Sequence, residues 1–101
     1  MPKFLVTYDL QDAPHDPHAT FIAEAEGLGW HAWSLSGRNV WYKLPNTTLR
    51  GEFNTLSSAV AAFKKVWTAT RNRGYRVTIE KWIVVECVAA SYDSDVQQPS
   101  E

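Results

Sequence analysis

The chain has 101 residues, 45% of them hydrophobic, 21% charged and 13% aromatic, with one cysteine and a formal net charge of −1. That length supports one domain, because single domains mostly run about 100–150 residues. A lone cysteine excludes an internal disulfide framework, and no apolar run approaches the ~20 residues that a bilayer-spanning helix requires. Phe4-Leu5-Val6 gives way at once to polar Thr7 and Asp9, so no signal peptide is expected, and a reduced cytoplasmic compartment is the default.

Lys3 to Leu10 alternates Phe4, Val6 and Tyr8 with Leu5, Thr7 and Asp9, which predicts a strand covered on both faces for most of its length. Asp12, Pro14, Asp16 and Pro17 then break the pattern, and Asp16-Pro17 reads as a helix N-cap followed by proline in the first turn. The helix that follows places Phe21, Ala25 and Leu28 on one stripe with Ile22 beside it, and Gly27 and Gly29 stop it. Alternation over 30–35, the turn Gly37-Arg38-Asn39 and the run Val40 to Leu44 predict a hairpin over residues 30–44. Pro45 to Gly51 reads as a loop. The glycosylation-like Asn46-Thr47-Thr48 is a turn in that reading.

A second helix, capped by Asn54 or Thr55 and ended by Gly74, carries the stripe Leu56, Val60, Phe63 and Trp67, with Ala59 and Val66 alongside. Tyr75 to Ala90 reads as a final strand longer than the usual ~5–6 residues, so a bend near Lys81, or a strand that leaves the domain, is expected. Strand, helix, hairpin, helix, strand is the order of the ferredoxin-like α+β sandwich, in which two helices cover one face of an antiparallel sheet. Residues 1–90 are therefore expected to form one such domain. Residues 91–101 carry Asp93, Asp95 and Glu101 without a basic residue, an acidic tail expected to be disordered.

With the tail set apart, the eight acidic and ten basic residues of 1–90 leave that body at +2. Lys64 to Lys81 alone holds Lys64, Lys65, Arg71, Arg73, Arg76 and Lys81 against Glu80, a segment compatible with a polyanion and equally with a solvated helix face. No glycine-rich phosphate loop, paired-cysteine metal spacing or nucleophile elbow occurs, and Cys87 among Val85 and Val88 reads as a buried, inert thiol.

Asp9 is the most suggestive residue. A carboxylate closing a central strand is placed to hold a hard cation such as Mg²⁺, and a second chain meeting it by symmetry would supply a second carboxylate. The alternative is that Asp9 bonds backbone N–H groups of the following loop. His15 and His18, beside Asp12 and Asp16, allow a transition-metal reading or that of plain loop histidines. His31 is a general base if it faces Asp9 and a packed or interfacial histidine otherwise. Trp67 reads as core. Trp30, Trp33, Trp41 and Tyr42, with Arg38, Lys43, Arg50 and Arg76, would on an open sheet face either stack exposed bases or bury a dimer interface.

The segment Phe4-Leu5-Val6-Thr7-Tyr8-Asp9-Leu10, opening a compact ferredoxin-like chain, resembles the small CRISPR-associated adaptation nuclease family. It is similar as well to relatives that include a ferredoxin-like endoribonuclease antitoxin of a type V toxin–antitoxin system. The resemblance implies a homodimer, often with a C-terminal strand exchanged onto the partner sheet, and it places the interface Mg²⁺ ligand at Asp9. Two functional expectations follow. One is a nucleic-acid-associated, Mg²⁺-dependent endonuclease or endoribonuclease acting on RNA or DNA, with Asp9 at the metal and Arg71, Arg73 and Arg76 on phosphates. The other is a non-catalytic homodimeric interaction or regulatory module of the same fold, and in either case the two copies are expected to meet through the open sheet or the final strand.

Overall fold

The structure is a computed structural model that describes residues 1–11, 13, 15–35, 38–91 and 93–99. Asp12, Pro14, Gly37 and Glu101, each used in the sequence reading, lie outside the described residues. In chain order the elements are β1 (Lys3–Leu10), α1 (His18–Gly27), β2 (Trp30–His31), β3 (Trp33–Leu35), β4 (Val40–Lys43), β5 (Thr48–Glu52), α2 (Leu56–Asn72), β6 (Ile79–Cys87) and β7 (Gln97–Pro99). They build an α+β fold with two antiparallel sheets where one was expected. The main sheet has the order β2-β5-β1-β6 and the smaller one β3-β4-β7.

β1 is the centre of the main sheet, flanked by β5 and β6. Its Phe4, Val6, Tyr8 and Leu10 are buried, whereas Thr7 and Asp9 are exposed and Leu5 is half-buried. The expectation of burial on both faces is therefore corrected: one face meets the helices and the other is largely open. The helix-side core gathers Phe21 and Ala25 of α1 with Ala59, Phe63 and Val66 of α2 against β1. Phe63 is its hub, with ring centroids 5.5 Å from Tyr8, 6.0 Å from Phe21, 5.6 Å from Trp67 and 5.9 Å from Trp82. Separations of this size are those at which tilted and edge-to-face aromatic pairs attract.

Both helices have local causes. At α1 the Asp16 carboxylate accepts the His18 backbone N–H at 3.0 Å, one residue before Pro17 takes the N-cap position, and Gly29 at φ 94° follows the last turn. At α2 the N-cap is Thr55, whose hydroxyl accepts the Ser58 N–H at 3.1 Å. The α2 stripe runs through Ala59, Phe63, Val66 and Thr70; Leu56 is half exposed at 50%, outside the stripe in which the sequence put it. Buried Thr70 is accommodated because its hydroxyl donates to the Val66 carbonyl at 2.9 Å.

Two further expectations are corrected in the middle of the chain. Residues 30–44 are not one hairpin: Trp30–His31 pairs with β5 in the main sheet, and only β3 and β4 form the hairpin. Pro45 to Gly51 is not one loop either. After a turn in which Thr47 adopts φ 57°, Thr48–Glu52 enters the main sheet between β2 and β1. Leu49 and Gly51 of β5 face the core, and Gly51 is required there. A Cβ at that position would lie 2.5 Å from the Gly29 carbonyl oxygen and 2.6 Å from the Phe53 ring. The glycine that signals a turn in the sequence is a close-approach position in a strand.

The overlong run from Tyr75 to Ala90 contributes nine residues, Ile79–Cys87, as β6. The irregularity expected near Lys81 is a register shift: Asp9 pairs with Lys81 but Leu10 with Ile79, which leaves Glu80 over. Within the acidic tail, Gln97–Pro99 pairs with β4 as β7, and the Lys43 N–H donates to the Val96 carbonyl at 3.0 Å.

Candidate functional site

Asp9 stands where the sequence puts it, exposed at the end of β1 and on the face away from the helices. Its neighbour across the β1–β6 ladder is Lys81. The two border a shallow depression of about 270 Å³ lined also by Thr7, Tyr8, Trp82 and Ile83. An ammonium rather than a carboxylate is thus the charge directly opposite Asp9. Among the described residues no group of three or more His, Cys, Asp or Glu side chains gathers as a metal would require. Mg²⁺ takes near-octahedral oxygen coordination, usually from one or two carboxylates together with phosphates and water, and Asp9 is the carboxylate this depression supplies. Tyr8, on the helix side of the same strand, has its phenol pushed up to about 12 by burial.

The other candidate ligands are dispersed. Asp16 is occupied at the start of α1, with His18 Nε2 4.0 Å from its carboxylate, and His15 stands exposed in the preceding loop. His31 does not face Asp9. Its Nδ1 lies 2.6 Å from Glu26 Oε2, and its ladder partner is Arg50. By strand spacing, two strands across and four residues along, it stands about 16 Å from Asp9. Cys87 is half-buried on β6 rather than fully enclosed, with Lys3 as its ladder partner.

The three arginines expected on phosphates have different surroundings. Arg73 Nε donates to Glu24 Oε1 of α1 at 2.7 Å, an ion pair that ties the two helices together. The Arg71 guanidinium donates twice to the Val77 carbonyl, at 3.2 and 2.8 Å, and so fastens the end of α2 to the segment entering β6. Arg76 is exposed. Arg71, Arg76 and His15 line one depression of about 430 Å³ together with Tyr75, at the end of the sheet where β1 stops and β6 starts. The aromatic platform does not form on the main sheet. Trp30 is fully buried with its ring centroid 4.9 Å from that of Phe53, while Trp33, Trp41 and Tyr42 belong to the smaller sheet.

The sequence offered the final strand, beside the open sheet, as a surface for a second copy; in the structure that strand is β6. This strand lies at the margin of the main sheet, and among the described residues no strand pairs with its free side. Tyr8 N–H donates to the Thr47 carbonyl on the β5 side, so the odd-numbered residues of β1 bond to β6. It follows by alternation that Ile83 and Val85 turn their peptide groups inward, whereas Trp82, Val84 and Glu86 turn theirs to the free edge. The side chains there are apolar as well: Ile83 is 56% exposed, Val85 40% and Trp82 37%. The signal available in the sequence was the length of the apolar run, which no helix-covered edge strand needs.

No helix of the described residues is long and apolar enough to cross a membrane. No family model matches the chain, and no curated protein or solved structure matches it either. What the fold and its surface define, among the described residues, is an α+β domain whose β6 margin is unpaired and carries exposed apolar side chains.

Proposed function

We propose that the protein is a non-catalytic, homodimeric interaction module built on a ferredoxin-like sheet. The order β2-β5-β1-β6 with both helices on one face supports the ferredoxin-like reading, the hairpin β3–β4 then being an insertion. The observation that carries the functional reading is the free edge of β6, nine residues long with exposed Ile83 and Val85. Proteins that remain monomers commonly blunt such edges with short strands, prolines, bulges or inward charges. β6 has no proline, its bulge lies at its N-terminal end, and its charged residues Glu80, Lys81 and Glu86 flank an uninterrupted apolar stretch from Trp82 to Val85.

Nuclease activity rests on the resemblance of Phe4 to Leu10 and needs a second carboxylate beside Asp9. Association with RNA or DNA is a second reading, favoured by the convergence of His15, Arg71 and Arg76 on one depression. Two measurements on the wild-type chain test the proposal. Light scattering at micromolar concentration is expected to give twice the chain mass of 11.4 kDa. Labelled RNA and DNA incubated with Mg²⁺ or Mn²⁺ are expected to remain intact. Metal-dependent cleavage that disappears in Asp9→Asn would overturn the non-catalytic reading and make Asp9 the metal ligand. Nucleic-acid binding that weakens steeply between 50 and 200 mM salt and is reduced in Arg76→Ala would add the second reading to the first.

A further inference from the structure

From the residues along the free edge we infer that the partner of β6 is β6 of a second copy, paired antiparallel so that Ile83 of each chain lies opposite Val85 of the other. This rests on the dimeric reading above and names its contact. A two-fold axis normal to the sheet joins the two main sheets into one, with the helices of both copies on the same face. Because the peptide groups of Trp82, Val84 and Glu86 point to the free edge, only registers that pair even-numbered residues with even-numbered ones close hydrogen bonds.

Charge selects among those registers. The fully overlapped one, with Ile83 opposite itself, sets Glu80 against Glu86 twice, and like charges directly opposite destabilise a ladder. Sliding by one residue per chain removes both clashes. Val84 then sits on the axis opposite its own copy, Ile83 and Val85 form two apolar cross-strand pairs, and Glu86 comes opposite Trp82. Lys64 Nζ already lies 5.9 Å from the Trp82 ring centroid, so the incoming Glu86 carboxylate meets a cation held in place. The same slide in the other direction puts Trp82 opposite itself, and sets Lys81 against Ile83 and Glu80 against Val84. Charged side chains then face the centre of the apolar stretch, and the remaining Ile79–Val85 pairs lie beyond the bulge. The selected register closes about six backbone hydrogen bonds, two at each even-numbered pair from 82 to 86.

The register is read by disulfide trapping in a Cys87→Ser background, with Ile83→Cys and Val85→Cys introduced separately. Both side chains are solvent-exposed in the single chain, so neither change disturbs the core. Non-hydrogen-bonded antiparallel pairs bring Cα atoms to about 4.5 Å, within the 4.4–6.8 Å range of disulfides. Under mild oxidation the mixture of the two variants is expected to yield a covalent dimer, and neither variant alone is. Crosslinking of Ile83→Cys by itself would reveal the fully overlapped register and overturn the inference, as would crosslinking of Val85→Cys by itself. A dimer by light scattering that none of these samples traps would move the interface away from β6 while leaving the homodimer standing. A monomer by light scattering would overturn both.

Discussion

Gly51 gives the sharpest test of how the main sheet is built. It sits in β5 opposite Phe4 on one side and Trp30 on the other. An alanine Cβ would fall 2.5 Å from the Gly29 carbonyl oxygen and 2.6 Å from Phe53 Cε2. The ring has some freedom to turn. The carbonyl has little, because it belongs to the tight connection at Gly29, φ 94°, between α1 and β2. Overpacking of this kind destabilises by about 1–3 kcal/mol. In a domain of this size each kcal/mol moves the thermal midpoint by about 4–8 °C, so Gly51→Ala should melt about 5–20 °C below wild type. Were residues 45–51 a loop, the same change would restrict the unfolded chain and stabilise by about 0.4–1 kcal/mol. The two accounts differ in sign. Gly27→Ala serves as the control, since a Cβ there meets nothing within 4 Å and the position is helical. It should gain about 0.5–1 kcal/mol. Thermal unfolding followed by circular dichroism decides, and a Gly51→Ala midpoint at or above wild type would refute the placement of β5.

Phe63→Ala empties the centre of the aromatic core and should lose about 3–5 kcal/mol in urea unfolding; a loss under 1 kcal/mol would discredit α2 as the lid of that core. Tyr8 predicts an alkaline limit. The folded phenol stays neutral to about pH 12 while an unfolded tyrosine ionises near 10, so the unfolded state releases its proton first as pH rises. The stability contributed is complete below about pH 10 and is lost through pH 12, with a span of about 3 kcal/mol. Urea midpoints compared at pH 9 and pH 11.5 should fall more in wild type than in Tyr8→Phe, and equal falls would count against a buried phenol. Arg73→Ala should cost less than about 1 kcal/mol, because one end of its ion pair with Glu24 is solvent-exposed; a larger loss would mean the helices depend on that bridge.

β1 and both helices were legible because their signals are local: alternation from Phe4 to Leu10, a capping hydroxyl at Thr55, and glycines past both helix ends. β5 was hidden by its composition. Of its five residues only Leu49 presents an apolar side chain to the core, and the other inward position is Gly51, which fits by having none. The division of residues 30–44 between two sheets was not legible either, since it depends on β5 being available to pair with Trp30 and His31. With β5 read as a loop, the only partner left for that strand was the rest of the hairpin.

The site followed the same rule. Asp9 at a strand end could be placed from its neighbours in sequence. The charge opposite it, Lys81, lies 72 positions away in the chain and is set by the β1–β6 register. The pairing of Arg73 with Glu24, at a separation of 49 residues, is likewise a product of helix packing, and it turned an expected phosphate contact into a link between helices. The length of the apolar run from Tyr75 to Ala90 was visible from the start. Its meaning, a strand with one side free, required the sheet order.

The most direct test of an interface on β6 is amide hydrogen exchange of the wild-type chain, read residue by residue across a range of protein concentrations. The N–H groups of Trp82, Val84 and Glu86 face the free edge, while those of Ile83 and Val85 are already bonded to β1. A β6–β6 dimer requires that exchange at 82, 84 and 86 slows as concentration rises, with 83 and 85 slow throughout. Fast, concentration-independent exchange at all three edge positions in a sample sedimenting as a single chain would contradict the account.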